Sequence, residues 1–133
     1  VDGLKGFPDA INAVFPKNPC IIRANAKALQ QIILNLLLNA TQALPETGGD
    51  VTIIVQNNPQ TDITEITIRD TGVGIAPKTL ERIFEPFFST KKNGTGLGLP
   101  LTRALLQSMN ASCKIKSKEG KGTTVSIEFP TGK

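Results

Sequence analysis

Carboxamides, a carboxylate and closely spaced glycines are concentrated in three separate segments of this sequence. NLLLNATQAL (35–44) combines two asparagines with the apolar spacing of a helix. DTGVGI (70–75) places an acidic residue and two glycines directly after a β-branched stretch. STKKNGTGLGL (89–99) is a lysine-bearing, glycine-rich loop that leads into a second helical pattern. Because a metal ion, a purine and a phosphate chain require these three kinds of surface, the sequence predicts an ATP site.

The first segment belongs to a helix on which four amides share one narrow stripe. This carboxamide stripe consists of Gln31, Asn35, Asn39 and Gln42. Asn35 and Asn39 are four residues apart and therefore lie on adjacent turns of the helix. A helix edge in contact with solvent is the alternative, but such edges normally carry Lys and Glu. Since an asparagine oxygen is a hard, neutral ligand, the stripe favours Mg²⁺ that already holds nucleotide phosphates.

The second segment places Asp70 at the end of a strand, followed by Gly72 and Gly74. A simple turn after the strand is the alternative, because a single motif of this kind has little specificity. In the functional interpretation, the Asp70 carboxylate accepts a hydrogen bond from the adenine amino group. The two glycines then let the backbone approach the base where a Cβ would collide with it. Guanine presents a carbonyl at that place, so the carboxylate discriminates against GTP.

The third segment ends a loop over residues 84–98 that is rich in phenylalanine and glycine. Phe84, Phe87 and Phe88 are three of the six phenylalanines of the chain, and we expect them to anchor a lid. Three glycines precede the helix, namely Gly94, Gly96 and Gly98. Their backbone N–H groups and the helix N-terminus form an anion-binding site, and Lys91 or Lys92 adds a positive charge for the phosphates.

These motifs resemble those of the ATP-binding catalytic domain of sensor histidine kinases, in the superfamily that includes gyrase B, the Hsp90 chaperones and MutL (the GHKL ATPases). QIILNLLLNATQAL (31–44) is similar to the N box and DTGVGIA (70–76) to the first glycine box. FEPFF (84–88) resembles the F box, GTGLGL (94–99) the second glycine box and GKGTTVSIEFP (120–130) the closing segment. The short lid and its sequence, STKKNGTGLGL, most resemble those of nitrogen-regulation and sporulation-type sensor kinases.

The resemblance spans about residues 19–130 and implies a role for each matching position. Asn39 is implied as the Mg²⁺ ligand, Asn35 as a contact to metal-bound phosphate, and Asp70 as the residue that recognises adenine. Lys91, together with the glycines, is implied for the phosphate lid, so that Asn35, Asn39 and Lys91 form the catalytic set. The implied ATP-binding positions are Asn35, Asn39, Asp70, Gly72, Gly74, Ile75, Phe88, Lys91, Gly94, Thr95, Gly96, Leu97, Gly98 and Thr123.

The function that the resemblance implies is donation of the γ-phosphoryl group of Mg-ATP to a histidine in two-component signal transduction. The chain contains no histidine, so the acceptor is expected on a dimerisation domain of the same parent protein, with a response regulator downstream. Where hydrolytic relatives have a glutamate base, this chain has Asn35, which cannot accept a proton and thus favours transfer. A hydrolysing ATPase and a non-catalytic nucleotide-binding module are the alternatives.

Composition and charge pattern argue against a nucleic-acid-binding protein and against a membrane-spanning one. The formal net charge is +4, but Lys114, Lys116, Lys118 and Lys121 alternate as on a solvated sheet face. Tyr and Trp are absent, so aromatic platforms for nucleic acid are few, and we expect no nucleic-acid partner. No apolar run reaches the ~20 residues of a membrane helix. We therefore expect a cytoplasmic domain without direct membrane insertion, in a parent that is either soluble or membrane-bound, with Cys20 and Cys113 as free thiols rather than a disulfide.

Hydrophobic periodicity and turn residues predict the elements that position these motifs. Strands are predicted at 20–24, 51–57, 63–70, 112–117 and 123–130. Helices are predicted at 26–44, 77–83 and 99–109. This order predicts an α/β (α+β) two-layer sandwich, with a mixed, mostly antiparallel sheet and helices on one face. It is the Bergerat-type ATP-binding fold that the resemblance implies.

The N-terminus is predicted to be a separate segment. VDGLKGFPDAINAVFP (1–16) does not match the first strand of the kinase domain and instead resembles a stretch of Mutator-type transposases. We therefore divide the chain into two parts. Residues 1–18 are an atypical N-terminal segment that is expected to be fused or foreign to the domain, and residues 19–133 are the ATP-binding catalytic domain.

Overall fold

The computed structural model describes residues 11–14, 26–58, 60–61, 63–83, 85 and 98–130. Within these ranges the chain forms β1 (Ile11–Val14), α1 (Ala26–Gln42), β2 (Val51–Asn58), β3 (Ile63–Asp70), α2 (Pro77–Leu80), α3 (Gly98–Ser108), β4 (Ser112–Lys118) and β5 (Gly122–Pro130). All predicted elements from residue 26 onward are confirmed. Most ends differ by one or two residues, and α2 ends three residues early because a turn replaces its last part.

The strands form one sheet in the order β1-β2-β3-β5-β4. β1 runs parallel to β2, and every other neighbouring pair is antiparallel. This arrangement confirms the predicted mixed, mostly antiparallel sheet. The two antiparallel hairpins, β2–β3 and β4–β5, are joined by the pairing of β3 with β5. The centre of the sheet therefore connects the N-terminal and C-terminal halves of the chain.

One face of the sheet carries the core, because alternate residues of each strand point to the same side. The register aligns Ile53, Ile68 and Val125 across the three central strands on that face. α1 packs against β2 and β3, α3 packs against β4, and the two helices contact each other. The core side chains are Ile32, Leu36, Leu37, Ala40, Val51, Ile53, Ile66, Ile68, Leu106, Ile127 and Phe129.

The residues of the edge strand β4 that point away from the core are exposed to solvent. Lys114, Lys116 and Lys118 are exposed, whereas Cys113, Ile115 and Ser117 are half-buried. The lysines therefore lie on a solvated sheet face, as predicted, and they also discourage pairing of another strand with this edge. Cys113 is a free thiol, and burial raises its pKa.

The N-terminal region differs from the prediction. Ile11–Val14 forms β1, although no strand was predicted within 1–18 because four residues with one polar side chain carry little periodicity. Its backbone pairs with Val51–Ile54 of β2 and so extends the sheet by one edge strand. The strand predicted at 20–24 lies outside the described residues. Among the described helices, none combines the length and apolar character that a bilayer crossing requires.

Candidate functional site

Asp70 ends β3 as a buried carboxylate with a relative exposure of 6%. Its Oδ1 accepts a hydrogen bond from the backbone N–H of Gly72 at 2.8 Å, and the backbone N–H of Thr123 also bonds to the carboxyl. Burial raises the pKa of Asp70, and these two hydrogen bonds offset part of that effect. Among the described residues, no cation forms an ion pair with it. A buried carboxylate without a neighbouring cation is suited to a ligand that donates hydrogen bonds.

The loop after Asp70, residues 71–75, is fixed on one side by the end of α1. The Val73 N–H donates to the carbonyl of Ala43 at 3.0 Å. A Cβ on Gly72 would lie only 2.5 Å from the same Ala43 oxygen, so a glycine is required there. Thr71 and Asp50 are also paired, with bonds from Thr71 N–H to the Asp50 carbonyl at 3.0 Å and from Asp50 N–H to Thr71 Oγ1 at 2.8 Å.

The same loop is fixed on its other side by the β4–β5 hairpin. The Gly120 N–H donates to the Val73 carbonyl at 2.8 Å, and the Ile75 N–H donates to Ser117 Oγ at 2.7 Å. Gly74 has a φ of +75°, and a Cβ there would overlap the Lys118 carbonyl. Gly72 and Gly74 are thus explained by close packing within the chain. Their predicted approach to a base stays a prediction.

The carboxamide stripe joins α1 to α3. Gln31 Nε2 donates to Asn35 Oδ1 at 2.8 Å, one turn apart on the exposed edge of α1. Asn35 Nδ2 donates in turn to Thr102 Oγ1 at 3.4 Å, a long hydrogen bond that reaches the beginning of α3. Thr102 is buried, whereas Asn35 is half-buried. The stripe is therefore more than a solvated helix edge, because Asn35 lies at the contact between the two helices.

The last two turns of α1 lie between these two attachments. The Ala43 N–H donates to the Asn39 carbonyl at 3.1 Å, so Asn39 is one turn before the contact with the 71–75 loop. Asn35 is one further turn away, at the contact with α3. At 1.5 Å per residue, the two contacts are separated by about 12 Å along the helix. The end of α1 thus lies between the loop after Asp70 and α3, the helix that follows the third motif segment, over the scale of a nucleotide.

The structure therefore describes about half of the predicted site. It brings Asp70, Gly72, Gly74, Ile75 and Thr123 together where the 71–75 loop meets the β4–β5 hairpin. Asn35 and Asn39 lie on the last two turns of α1, with Asn35 at the contact with α3, and Gly98 is the first residue of α3. The remaining predicted positions lie outside the described residues: Phe88, Lys91, Gly94, Thr95, Gly96 and Leu97. The predicted loop and phenylalanine lid also fall largely outside them.

Ser117 and Thr102 contact the site but were not identified from the sequence. Ser117 occupies an inward-facing position of β4, on the same side as Cys113 and Ile115. A hydroxyl at a position where the alternation predicts an apolar side chain is the sequence feature that could have identified it. Thr102 gives no comparable signal, because a threonine in the first turns of a helix is common.

Metal binding cannot depend on a cage of protein carboxylates in the described part of the chain. No group of three His, Cys, Asp or Glu side chains is close enough there to hold a metal ion. The half-buried amide of Asn39 provides a single neutral oxygen, which fits an ion that also binds phosphates and water, as Mg²⁺ does in nucleotide sites.

Sequence comparisons find related proteins over most of this chain. It is 44% identical over 110 residues to the sensor histidine kinase ZraS of Salmonella typhi, covering 82% of this chain and 23% of that protein. It is 39% identical over 125 residues to the histidine protein kinase DivJ of Caulobacter vibrioides, covering 90% and 20%. Sporulation kinase A of Bacillus subtilis is 36% identical over 120 residues, covering 90% and 19%. The chain thus spans about a fifth of the length of these relatives.

Solved structures give the same result. A mycobacterial sensor histidine kinase, MprB, superimposes with a TM-score of 0.78 and 25% identity, covering 92% of this chain and 83% of that one. Full-length ShkA, solved in complex with AMPPNP, gives a TM-score of 0.77 and 28% identity, covering 91% and 25%. The model of the histidine kinase-, DNA gyrase B- and HSP90-like ATPase family matches residues 24–133. On this match and on the arrangement of its motifs, the chain belongs to that ATPase family.

Proposed function

We propose that this chain is the Mg-ATP-binding catalytic domain of a sensor histidine kinase. It donates the γ-phosphoryl group of ATP to a histidine on a dimerisation domain of the same parent protein. The phosphohistidine then passes this phosphoryl group to a response regulator. The observation that carries this proposal is that the asparagine-bearing segment 35–44 contacts the loop after Asp70, at Ala43–Val73, and the helix that follows the glycine-rich segment, at Asn35–Thr102. These contacts support a path for a nucleotide that runs from the loop after Asp70, along the asparagines of α1, to the first turns of α3.

At the base end of this path, the Asp70 carboxylate accepts a hydrogen bond from the adenine amino group. A carboxylate can accept about four hydrogen bonds, and the N–H groups of Gly72 and Thr123 use two of them. Acceptor capacity therefore remains for a ligand. Because burial raises the pKa of this carboxyl, an amino donor from the base offsets part of the cost of keeping it charged. A guanine carbonyl at that position would be repelled instead. Thr123, whose N–H bonds to the carboxylate, and Ile75, which is held by Ser117, complete the base end.

At the phosphate end, the amides of α1 and the loop before α3 contact the phosphate chain. Asn39 supplies an oxygen to Mg²⁺, and Asn35 contacts a metal-bound phosphate. Mg²⁺ held by Asn39 would supply charge neutralisation of the nucleotide phosphates during transfer. Phe88, Lys91, Thr95 and Leu97, together with Gly94, Gly96 and Gly98, form the lid in this proposal.

Transfer to a histidine is favoured over hydrolysis because the chain has no base in the required position. The Asn35 amide donates to Thr102 and accepts from Gln31, and a carboxamide cannot remove a proton from water. The chain also has no histidine of its own. The acceptor must consequently be presented by another domain, and phosphoryl transfer then depends on positioning and charge neutralisation.

Radiolabelled ATP tests the proposal. The 133-residue chain, saturated with Mg-ATP, is expected to acquire no acid-labile phosphate and to hydrolyse ATP barely above background. Adding a histidine-bearing dimerisation domain from a related kinase should produce weak labelling of that domain, because the effective concentration provided by a covalent link is missing. The matched control is the same dimerisation domain with its acceptor histidine replaced by glutamine.

Two results would contradict the proposal. Rapid phosphate release by the chain alone would identify a hydrolysing ATPase. Tight ATP binding without labelling of several dimerisation domains, including one from a relative as similar as ZraS, would identify a non-catalytic nucleotide-binding module.

A further inference from the structure

Ser117 lies behind the 71–75 loop, on the inward face of the last residues of β4. It is half-buried and pairs in the sheet register with Thr123 of β5. Thr123 pairs in turn with Asp70 of β3. The three side chains therefore lie side by side across three neighbouring strands, with the proposed adenine-recognising carboxylate at one end and Ser117 at the other.

All hydrogen-bonding capacity of the Ser117 hydroxyl is used within the chain. Its oxygen accepts from the Ile75 N–H at 2.7 Å and lies 3.0 Å from the Gly122 carbonyl, to which it donates. Thr123 Oγ1 is 2.7 Å away. Because the single Ser117 proton is used on Gly122, the Thr123 hydroxyl donates to Ser117. One side chain thus links the 71–75 loop, β4 and the beginning of β5.

The loop has few other attachments on this side. Gly120 N–H holds the Val73 carbonyl at 2.8 Å, and Gly74 packs against the Lys118 carbonyl. Ile75, the last loop residue, is held by Ser117 through its N–H. Loss of the hydroxyl would free the Ile75 end of the loop and the Thr123 hydroxyl together, while leaving the attachments of Val73 and Gly72 in place.

We infer that Ser117 is a positioning residue for base specificity. By holding Ile75 and Thr123, it keeps the 71–75 loop at the distance from Asp70 at which an adenine amino group can bond to the carboxylate. This inference rests on the proposed function, since it assigns Asp70 to the base. Ser117 has no contact of its own with the nucleotide in this account.

The test measures ADP and IDP affinity by calorimetry in the wild type, Ser117→Ala, Ser117→Thr and Ser112→Ala. IDP replaces the amino group with a carbonyl. We expect Ser117→Ala to weaken ADP binding by about tenfold, the equivalent of one hydrogen bond, while IDP binding changes little. Ser117→Thr retains the hydroxyl and should restore the preference for ADP. Ser112→Ala is the matched control, because Ser112 is exposed on the same strand.

A second measurement is independent of any nucleotide. Amide hydrogen exchange of Ile75, followed by NMR, should accelerate in Ser117→Ala relative to Ser112→Ala, because its acceptor is lost. Should the alanine variant fail to fold, Ser117→Cys provides both measurements, since it fills the space with a much weaker hydrogen-bonding group.

The outcomes separate the two claims. Equal ADP and IDP affinity in the wild type would overturn the assignment of Asp70 to adenine, and with it this part of the proposed function. A wild type that prefers ADP, with the same preference in Ser117→Ala, would overturn the role of Ser117 alone. Unchanged exchange of the Ile75 amide would also overturn that role.

Discussion

The base end and the phosphate end of the candidate site are built in different ways. At the base end, Asp70 and the 71–75 loop are held by backbone groups of Ala43, Gly120 and Thr123 and by the Ser117 hydroxyl. The described part of the phosphate end consists of amide side chains on α1. It meets α3 through the 3.4 Å hydrogen bond between Asn35 and Thr102. The first region is formed by the fold, whereas the second depends on side chains.

This contrast separates the expected effects of mutation. Changes at the base end should alter the stability of the domain and its nucleobase preference, without dependence on metal. Changes on α1 should leave the fold largely intact and alter the response to Mg²⁺. Each of the following experiments tests one side of that division.

The largest effect is expected for Gly74→Ala, with Gly120→Ala as its control. Both glycines have nearly the same φ, +75° and +76°, so alanine is strained equally at either position. A Cβ on Gly120 meets nothing within 4 Å, whereas one on Gly74 overlaps the Lys118 carbonyl. Urea denaturation should show a loss of about 1 kcal/mol for Gly120→Ala and about 2–4 kcal/mol for Gly74→Ala. Equal losses would show that packing of the loop on the hairpin contributes nothing.

The next largest effect concerns the phosphate end. Asn39→Ala removes the proposed oxygen ligand, so the factor by which Mg²⁺ strengthens ATP binding should fall by about tenfold or more. ADP binding without metal should change little. Gln42→Ala, on the exposed end of the same stripe, should retain the full Mg²⁺ effect. Titration calorimetry with and without Mg²⁺ checks this, and an undiminished Mg²⁺ effect in Asn39→Ala would assign Asn39 a structural role only.

A smaller effect concerns the pH dependence of stability without nucleotide. The pKa of Asp70 is raised in the folded state by burial, so the folded chain binds this proton more tightly than the unfolded chain does. Its stabilising contribution is complete below the unfolded pKa of about 3.9 and is lost as pH rises through the folded pKa.

Asp70→Asn removes this charge and retains an acceptor for Gly72. Its stability relative to the wild type should therefore increase as pH rises from about 4 toward neutrality. Thermal denaturation across that range measures the difference, with exposed Asp50→Asn as control. A difference that shrinks as pH rises would contradict the raised pKa.

The sequence predicted the core elements well, because their patterns are local. The leucines and isoleucines of α1 recur every three or four residues, and β2 and β3 alternate with β-branched side chains. β1 was missed because INAV is short and pairs in parallel with a strand about forty positions later, so no local turn signals it. The boundary at residue 18 therefore remains a proposal, since β1 lies before it and the family match begins at residue 24.

Sequence motifs name candidate residues for the site, but they do not give the contacts that these residues make. Asp70, Asn35 and Asn39 were identified from their motifs, but nothing local indicates that Asn35 meets Thr102, 67 positions away. Gly72 and Gly74 were assigned to the base alone, while the structure shows that the backbone of Ala43 and Lys118 requires them. Such contacts arise from the way the helices, the loop and the hairpin pack together, which the pattern of a single segment does not contain.

The central claim is that Asp70 recognises adenine at a base end already formed by the fold. Calorimetric titration of ADP into the wild type and Asp70→Asn tests it most directly, with Asp50→Asn as control. Asparagine has nearly the same shape, but it loses the charge and presents a donor toward the amino group. Loss of one charge-assisted hydrogen bond should cost about 1.5–3 kcal/mol, or at least tenfold in affinity. Equal ADP affinity in the two proteins, both folded, would contradict the account.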